Sequence, residues 1–386
     1  MRKDWEYKKL GEVCETSSGG TPSKTYTEYY ENGTIPWLRS GEVSQGYIYD
    51  AEIYISELGL NKSSAKIFPK GTVLIAMYGA TVGEVGILCN PMCTNQAICG
   101  VLPNDLYNSE FLRYVLLSHK DKYLSLAIGG AQPNISQQII KNTLIPLIDK
   151  STQLSIVAEL DKINELIQLK KQQLKDYDQL AQSIFYEMFG DPVENEKGWE
   201  VKKYGDLFTI GSGGTPSKAK EEYWNNGDIP WIGSNMCQNR IIYKTDGKYI
   251  TKEGLNNSSA KLLMPGTILV ALVGATIGKV ALLKTETTTN QNIAFIKVNE
   301  TKEFMPEYVY YFLMNQYNEF LNIGNGNFKM ANLSFIKGLF ITKAPLPLQQ
   351  QFAARIEAIE RQKQQVSETI KDLETLLASR MQYWFD

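Results

Sequence analysis

The chain has 386 residues, enough for two or more domains at roughly 100–200 residues each. Its 43% hydrophobic and 21% charged residues are ordinary for a globular protein and exclude wholesale disorder, collagen-like repeats and a disulfide scaffold. The formal charge is −2, no window offers the roughly 18 uninterrupted apolar residues of a membrane span, and MRKDWEYKKL has no apolar signal core, so a cytoplasmic protein without membrane contact is expected.

Residues 1–150 open with short β-rich runs punctuated by glycine and proline, among them GTVLIAMYGA, where an apolar run between glycines predicts a buried strand. FLRYVLLSHK follows with the 3.6-residue periodicity of an amphipathic helix, which leaves the single histidine, His119, a structural or exposed residue. Cys14, Cys89, Cys93, Cys99 and Cys237 form no CxxC pair, so reduced thiols are expected and neither a metal site nor a disulfide framework is indicated.

After Pro146 comes a long stretch without glycine or proline as far as Phe189, assigned to a spacer helix over 151–190, and then the plan repeats at a displacement of 194 to 199 residues. GGTPSK from Gly19 returns from Gly213, and IPW ending at Trp37 returns ending at Trp231. GLNKSSAK from Gly59, GATVG from Gly79, TNQ from Thr94, NIS from Asn134 and IPL from Ile145 return in order as GLNNSSAK, GATIG, TNQ, NLS and APL. Seven landmarks in one order define a second domain, 191–346, and a second closing stretch, 347–386.

Both closing stretches carry a 4-3 apolar spacing, through Leu160, Ile163, Ile167, Leu174 and Ile184 in the first and Ile356, Ile359, Val366, Ile370, Leu373 and Leu377 in the second. That spacing predicts a coiled-coil seam. An antiparallel pair with a globular domain at each end is the simplest arrangement, giving an α+β protein of two repeated mixed α/β domains separated by two long helices. The other reading packs each helix on its own domain, but about 33 residues at 1.5 Å each span roughly 50 Å and overrun a domain of this size.

Reactive constellations are missing. GATVGEVG and GATIGKVA do not continue to GK[ST], so a tight turn explains their glycines better than a phosphate loop. Neither CNPMC at Cys89 nor GDPVEN at Gly190 completes an amino-methyltransferase site, and no HExxH, GxSxG or nuclease-like acid cluster occurs. No catalytic residue, metal or cofactor is assigned.

The succession GGTPSK, IPW, a GAT turn, TNQ, N(I/L)S and (I/A)PL, closed by a long Gln- and Leu-rich helix and then run through again, resembles the specificity subunit of type I restriction-modification enzymes over nearly the whole chain. The resemblance implies a non-catalytic subunit of a phage-defence system. Its two target-recognition domains would each read half of a split double-stranded DNA sequence, with the two helices as spacer. It also implies two methyltransferase subunits docked on the helices, pseudo-twofold positions, and restriction subunits with translocase activity joining them. A two-domain interaction protein that binds protein surfaces or small ligands is the alternative.

Charge is uneven along the chain: 14 basic and 15 acidic residues in 1–150, 4 and 9 in 151–196, 17 and 12 in 197–345, and 5 and 6 in 346–386. The acid gathers where protein contact is expected, and the second domain carries the basic excess that phosphate binding calls for. If the domains read different half-sequences, residues identical in both serve as scaffold or phosphate contacts, and divergent windows read bases. Arg39 to Ile53 against Gly233 to Lys248, and Ala127 to Pro133 against Ile323 to Ala331, are such windows. They nominate Arg39, Ser40, Gln45, Tyr47 and Gln132 in the first domain and Asn235, Gln238, Asn239, Arg240, Asn327 and Lys329 in the second, all with groups that match base edges. Lys24 and Lys218 of the shared loop are the phosphate candidates.

Overall fold

Short apolar runs bounded by glycine form strands, and the long periodic runs form helices, in a computed structural model that describes residues 2, 4–129, 133–245, 247–322 and 330–385. The chain divides into two units, one of Met1–Lys171 with Glu368–Asp386 and one of Gln172–Ser367.

In the first unit a five-stranded sheet has the order Thr16–Ser18, Ile98–Val101, Val73–Ala76, Val85–Leu88, Tyr47–Ile48. All its pairs are antiparallel except the last, which is parallel. A second sheet pairs Ile35–Leu38 with Tyr54–Ile55 and Met92–Thr94, and Glu6–Lys9 joins Leu144–Leu147 in a two-stranded ribbon. The helix Ser109–Ser118 lies on the larger sheet through Phe111, Leu112, Tyr114 and Val115.

The second unit repeats that sheet strand for strand: Thr209–Ser212, Ile293–Lys297, Thr267–Ala271, Val280–Leu283, Arg240–Ile242, again with only the last pair parallel. Its helix Pro306–Asn315 takes the place of Ser109–Ser118. Identical topology from one order of landmarks is what duplicated sequence signals require, since turn chemistry and strand pattern recur together.

Two 40-residue helices, α1 (Lys150–Phe189) and α2 (Leu346–Phe385), each contribute to both units. Asp149 caps α1: its Oδ1 accepts from the Thr152 N–H at 2.9 Å and its Oδ2 from the Thr152 hydroxyl at 2.7 Å. Hydrogen bonds from Ser151 and then Thr152 hold the Asp149 carboxyl well below the usual carboxylate range. In α2 the first turn contains Pro347, whose missing N–H has no partner to lose there.

Within each unit the two helices run antiparallel. In the first, Arg380 pairs with Glu159, and Lys171 Nζ meets Glu374 Oε1 at 2.9 Å. In the second, Lys363 Nζ meets Asp178 Oδ1 at 2.7 Å while Phe352 packs on Phe185. Leu160, Ile163, Ile167, Ile356, Ile359, Val366 and Ile370 are buried, and Leu174, Ile184, Leu373 and Leu377 are partly buried.

The helices do not only pair with each other; within each unit they also enter the domain core. Ile156, Val157 and Leu160 belong to the core of the first unit together with Phe385, and Phe185, Phe189, Phe352 and Ile356 belong to that of the second.

Candidate nucleic-acid interface

The residues that the two copies share build one hydrogen-bonded frame. Trp37 Nε1 donates to Gly20 O at 2.9 Å, and Trp231 Nε1 donates to Gly214 O at 3.0 Å. The same glycines donate to Thr94 O and Thr289 O, at 2.9 and 2.8 Å, which clamps the GGTPSK loop onto the TNQ loop. A Cβ on Gly20 would stand 2.2 Å from the carbonyl carbon of Ser64, and one on Gly214 2.4 Å from that of Ser259. Only glycine fits. The GGTPSK motif is therefore spent on packing backbone against backbone, and Lys24 and Lys218 are its exposed cations.

One shared pair escaped the sequence reading. Gln153 in α1 and Gln349 in α2 are fully buried, and each satisfies three backbone groups. Gln153 donates to Leu106 O and Ile148 O, both at 2.9 Å, and accepts from Asn108 N at 2.8 Å. Gln349 donates to Glu303 O at 3.2 Å and Ala344 O at 2.8 Å and accepts from Met305 N at 2.8 Å. Following the repeat beyond its last landmark, at a displacement of 196, would have found them.

On this frame the divergent windows take different forms. In the first copy Arg39 precedes the turn Ser40–Gln45 and is paired with two carboxylates, Glu42 and Glu52. Glu42 is buried and fixes the turn by accepting from the Arg39 N–H and the Glu52 N–H, both at 2.9 Å. Gln45 and Tyr47 are exposed beside it, and Ser40 is half-buried. The Tyr47 ring lies 5.3 Å from the Arg113 guanidinium carbon, which stands at the same distance from Tyr114. Tyr114 donates to Asp161 Oδ1 at 2.6 Å and accepts from Asn164 Nδ2 at 2.8 Å, so this window reaches α1 through a chain of side chains. Burial, then the Asp161 charge, pushes the Tyr47 phenol up.

In the second copy position 39 becomes Gly233, and the turn shortens to Ser234–Met236, with Asn235 exposed. Gln238 Oε1 accepts from Lys279 Nζ at 2.9 Å. Asn239 sits in the left-handed region at φ +54°, where its Oδ1 accepts from the Val280 N–H at 3.0 Å. Arg240 donates from Nε to Met236 O at 3.1 Å. Asn239 also lines a cavity of about 250 Å³ with Asp178, Tyr310, Glu360 and Lys363. Gln238, Asn239 and Arg240 thus spend part of their hydrogen-bonding capacity on the fold. Gln132, Asn327 and Lys329 lie outside the described residues.

Among the described residues no group of three or more His, Cys, Asp or Glu side chains is placed to hold a metal ion, and no helix is long and apolar enough to cross a membrane.

A duplicated α/β frame, each copy closed by a long helix, defines the class, and comparison with known proteins gives it a family. The family model for the type I restriction modification DNA specificity domain matches the chain twice, over residues 2–176 and 196–375, and the chain belongs to that family. The type I restriction enzyme MjaIX specificity subunit of Methanocaldococcus jannaschii is 28% identical over 381 residues, covering 92% of this chain and 87% of the relative. The EcoR124I/EcoR124II specificity subunit of Escherichia coli is 29% identical over 166 residues, 42% of this chain and 41% of that one.

Among solved structures, the S subunit of a type I restriction-modification system from M. genitalium covers 99% of this chain and 96% of its own, with 14% identity and a TM-score of 0.53. A chain from a study of complex assembly and conformational transition in the type I system covers 100% and 98%, with 20% identity and a TM-score of 0.63. Both share the fold. Specificity subunits are non-catalytic and serve restriction-modification through target recognition.

Proposed function

We propose that each copy reads one half of a bipartite sequence in double-stranded DNA, and that α1 and α2 receive two methyltransferase subunits, with restriction and translocase subunits completing the assembly. The observation that carries this reading is the contrast within the repeat. Trp37 and Trp231, Gly20 and Gly214, and Gln153 and Gln349 keep one set of hydrogen bonds, while the windows mounted on that frame differ in side chains, turn length and pairing. Two readers of different half-sequences need a common frame and different contacts.

In this reading Arg39, Ser40, Gln45 and Tyr47 meet base edges from the first copy, and Asn235, Gln238, Asn239 and Arg240 from the second, while Lys24 and Lys218 meet phosphates. The excess of 17 basic over 12 acidic residues in 197–345 gives the second copy the stronger long-range pull on DNA.

Methylome sequencing of cells that carry the partner methyltransferase, with and without this chain, tests the proposal. A methylated motif of two fixed blocks separated by a fixed number of unspecified bases, present only with the chain, is the expected result. A chain-dependent motif that is one continuous block, or no chain-dependent motif at all, would overturn it.

A further inference from the structure

The Gly-Ala-Thr turns are shared by both copies, yet the residue that enters each of them is not: it is Tyr78 in the first and Val273 in the second. Resting on the DNA-reading function proposed above, we propose that Tyr78 and Val273 are base-reading positions, each acting on its own copy's half-sequence through apolar contact in the major groove.

The turns, Gly79–Thr81 and Gly274–Thr276, stand at the surface. Their glycines have φ +75° and +72°, and among the described residues a Cβ built on either meets nothing within 4 Å. Glycine is required here by the backbone angle and not by crowding from the described residues. Gly79 N donates to Pro133 O at 2.8 Å, and Tyr78 bridges to Asn134, which in turn exchanges two hydrogen bonds with Ile128 at 2.9 and 3.0 Å. Val273 bridges to Met330 in the second copy. Each turn is thus fastened beside the second divergent window.

What this fastening displays is apolar. Tyr78 is 45% exposed, Ile128 74% and Met330 67%, while Val273 is half-buried, packed against the core of its own copy with part of its side chain at the surface. Side chains of this size at such exposure, held on hydrogen-bonded rungs, mark in each copy a surface that is covered when the protein works.

Two coverings compete, a protein subunit and DNA, and the repeat separates them. A subunit that binds both copies alike needs the same side chains on both, whereas two half-sequences need different ones on one backbone. The turn backbone is the same, and Tyr78 and Val273 differ. The connection differs as well: seven residues separate the helix end Leu126 from Asn134, and ten separate Leu321 from Asn332. DNA fits that pattern. In its major groove the thymine C5-methyl is the apolar mark, which the isopropyl group of Val273 or the ring of Tyr78 can cover. The Tyr78 hydroxyl adds a polar contact that Val273 lacks.

The test is methylome mapping of cells in which the full chain, co-expressed with its methyltransferase subunits, carries Tyr78→Val or Val273→Tyr. Tyr78→Val is expected to relax or change one base pair of one half-sequence by about tenfold in preference, leaving the other half and the spacer as in the parent. Val273→Tyr should do the same in the other half only. Unaltered motifs at parental methylation levels in both variants overturn the inference. So does loss of methylation at every site accompanied by loss of co-purifying methyltransferase, which would make the turns a docking surface. Tyr78→Phe guards against misfolding: it keeps the ring, so a motif shift in Tyr78→Val that is absent in Tyr78→Phe supports the apolar contact. A parent without a two-block motif contradicts the underlying function instead, so the two failures are told apart.

Discussion

Trp37 and Trp231 make the same hydrogen bond in their two copies, at 2.9 and 3.0 Å, but two residues later the copies part: Arg39 is an arginine held between Glu42 and Glu52, and its counterpart is Gly233. The frame is kept by crowding and backbone hydrogen bonds, which admit few substitutions. The window alternates buried positions such as Glu42 with exposed ones such as Arg39, Gln45 and Tyr47, and substitutions at the exposed ones leave the core untouched. A duplicated protein can therefore hold its architecture while its two surfaces take up different contacts, and each prediction below either breaks that division or makes it finer.

The largest effect is expected from exchange of a whole domain. Replacing residues 197–345 with the equivalent segment of a related subunit should substitute one half of the recognised sequence and spare the other, because each copy has its own core. Methylome mapping reads the outcome directly, and alteration of both halves would show that the copies are not independent readers.

Next comes the frame. Gln153→Leu and Gln349→Leu each strand one backbone N–H and two carbonyls in a buried site, and each should cost about 3 kcal/mol of stability in urea unfolding of the full chain. The two losses should agree within about 1 kcal/mol, because the bonds are the same. If one copy tolerated the change, the frame would be shared in form but not in energetics.

A smaller effect is expected at Arg39. Its pair with Glu52 is exposed on both sides, and the buried Glu42, 3.7 Å from its guanidinium, keeps two backbone N–H donors without it, so Arg39→Ala should change stability by only about 1 kcal/mol. As a base reader it should shift discrimination at one base pair by about 1–3 kcal/mol in the first half-sequence alone. A fall in melting temperature with an unchanged motif would assign Arg39 to the turn and not to DNA.

The order of domains and long helices was legible because repetition at 194 to 199 residues is a long-range signal that no local ambiguity erases. The apolar 4-3 spacing marked the helix stripe for a similar reason, but it could not say what else fills the gaps. Phe185 and Phe189 are not among the seam positions, yet they are buried against Tyr308 of the second domain, because the last turns of α1 pack on that domain as well as on α2. Single-residue roles were the least legible. Nothing in RSGEVSQGY says that Glu42 folds inward under Arg39, and nothing in CQNR says that Asn239 adopts a left-handed angle to bond Val280. Such facts depend on what the chain brings together from elsewhere.

The smallest effect belongs to Lys24 and Lys218, and it tests whether the shared loop touches DNA at all. Both lysines are exposed at the end of a loop whose glycines are locked from behind, so the loop presents each ammonium group from a rigid base. A phosphate contact carries no sequence information. Lys24→Ala or Lys218→Ala in the assembled methyltransferase should therefore weaken binding to every duplex alike and leave the motif unchanged. The diagnostic is the salt slope: each lost phosphate contact should reduce the slope of log K against log salt by about 1, and the double variant by about 2. Fluorescence anisotropy on a duplex carrying the motif and on one lacking it, across a salt series, measures this without reference to catalysis. An unchanged slope in the double variant would place the loop away from the DNA and leave GGTPSK a purely structural motif, shared because the frame needs it.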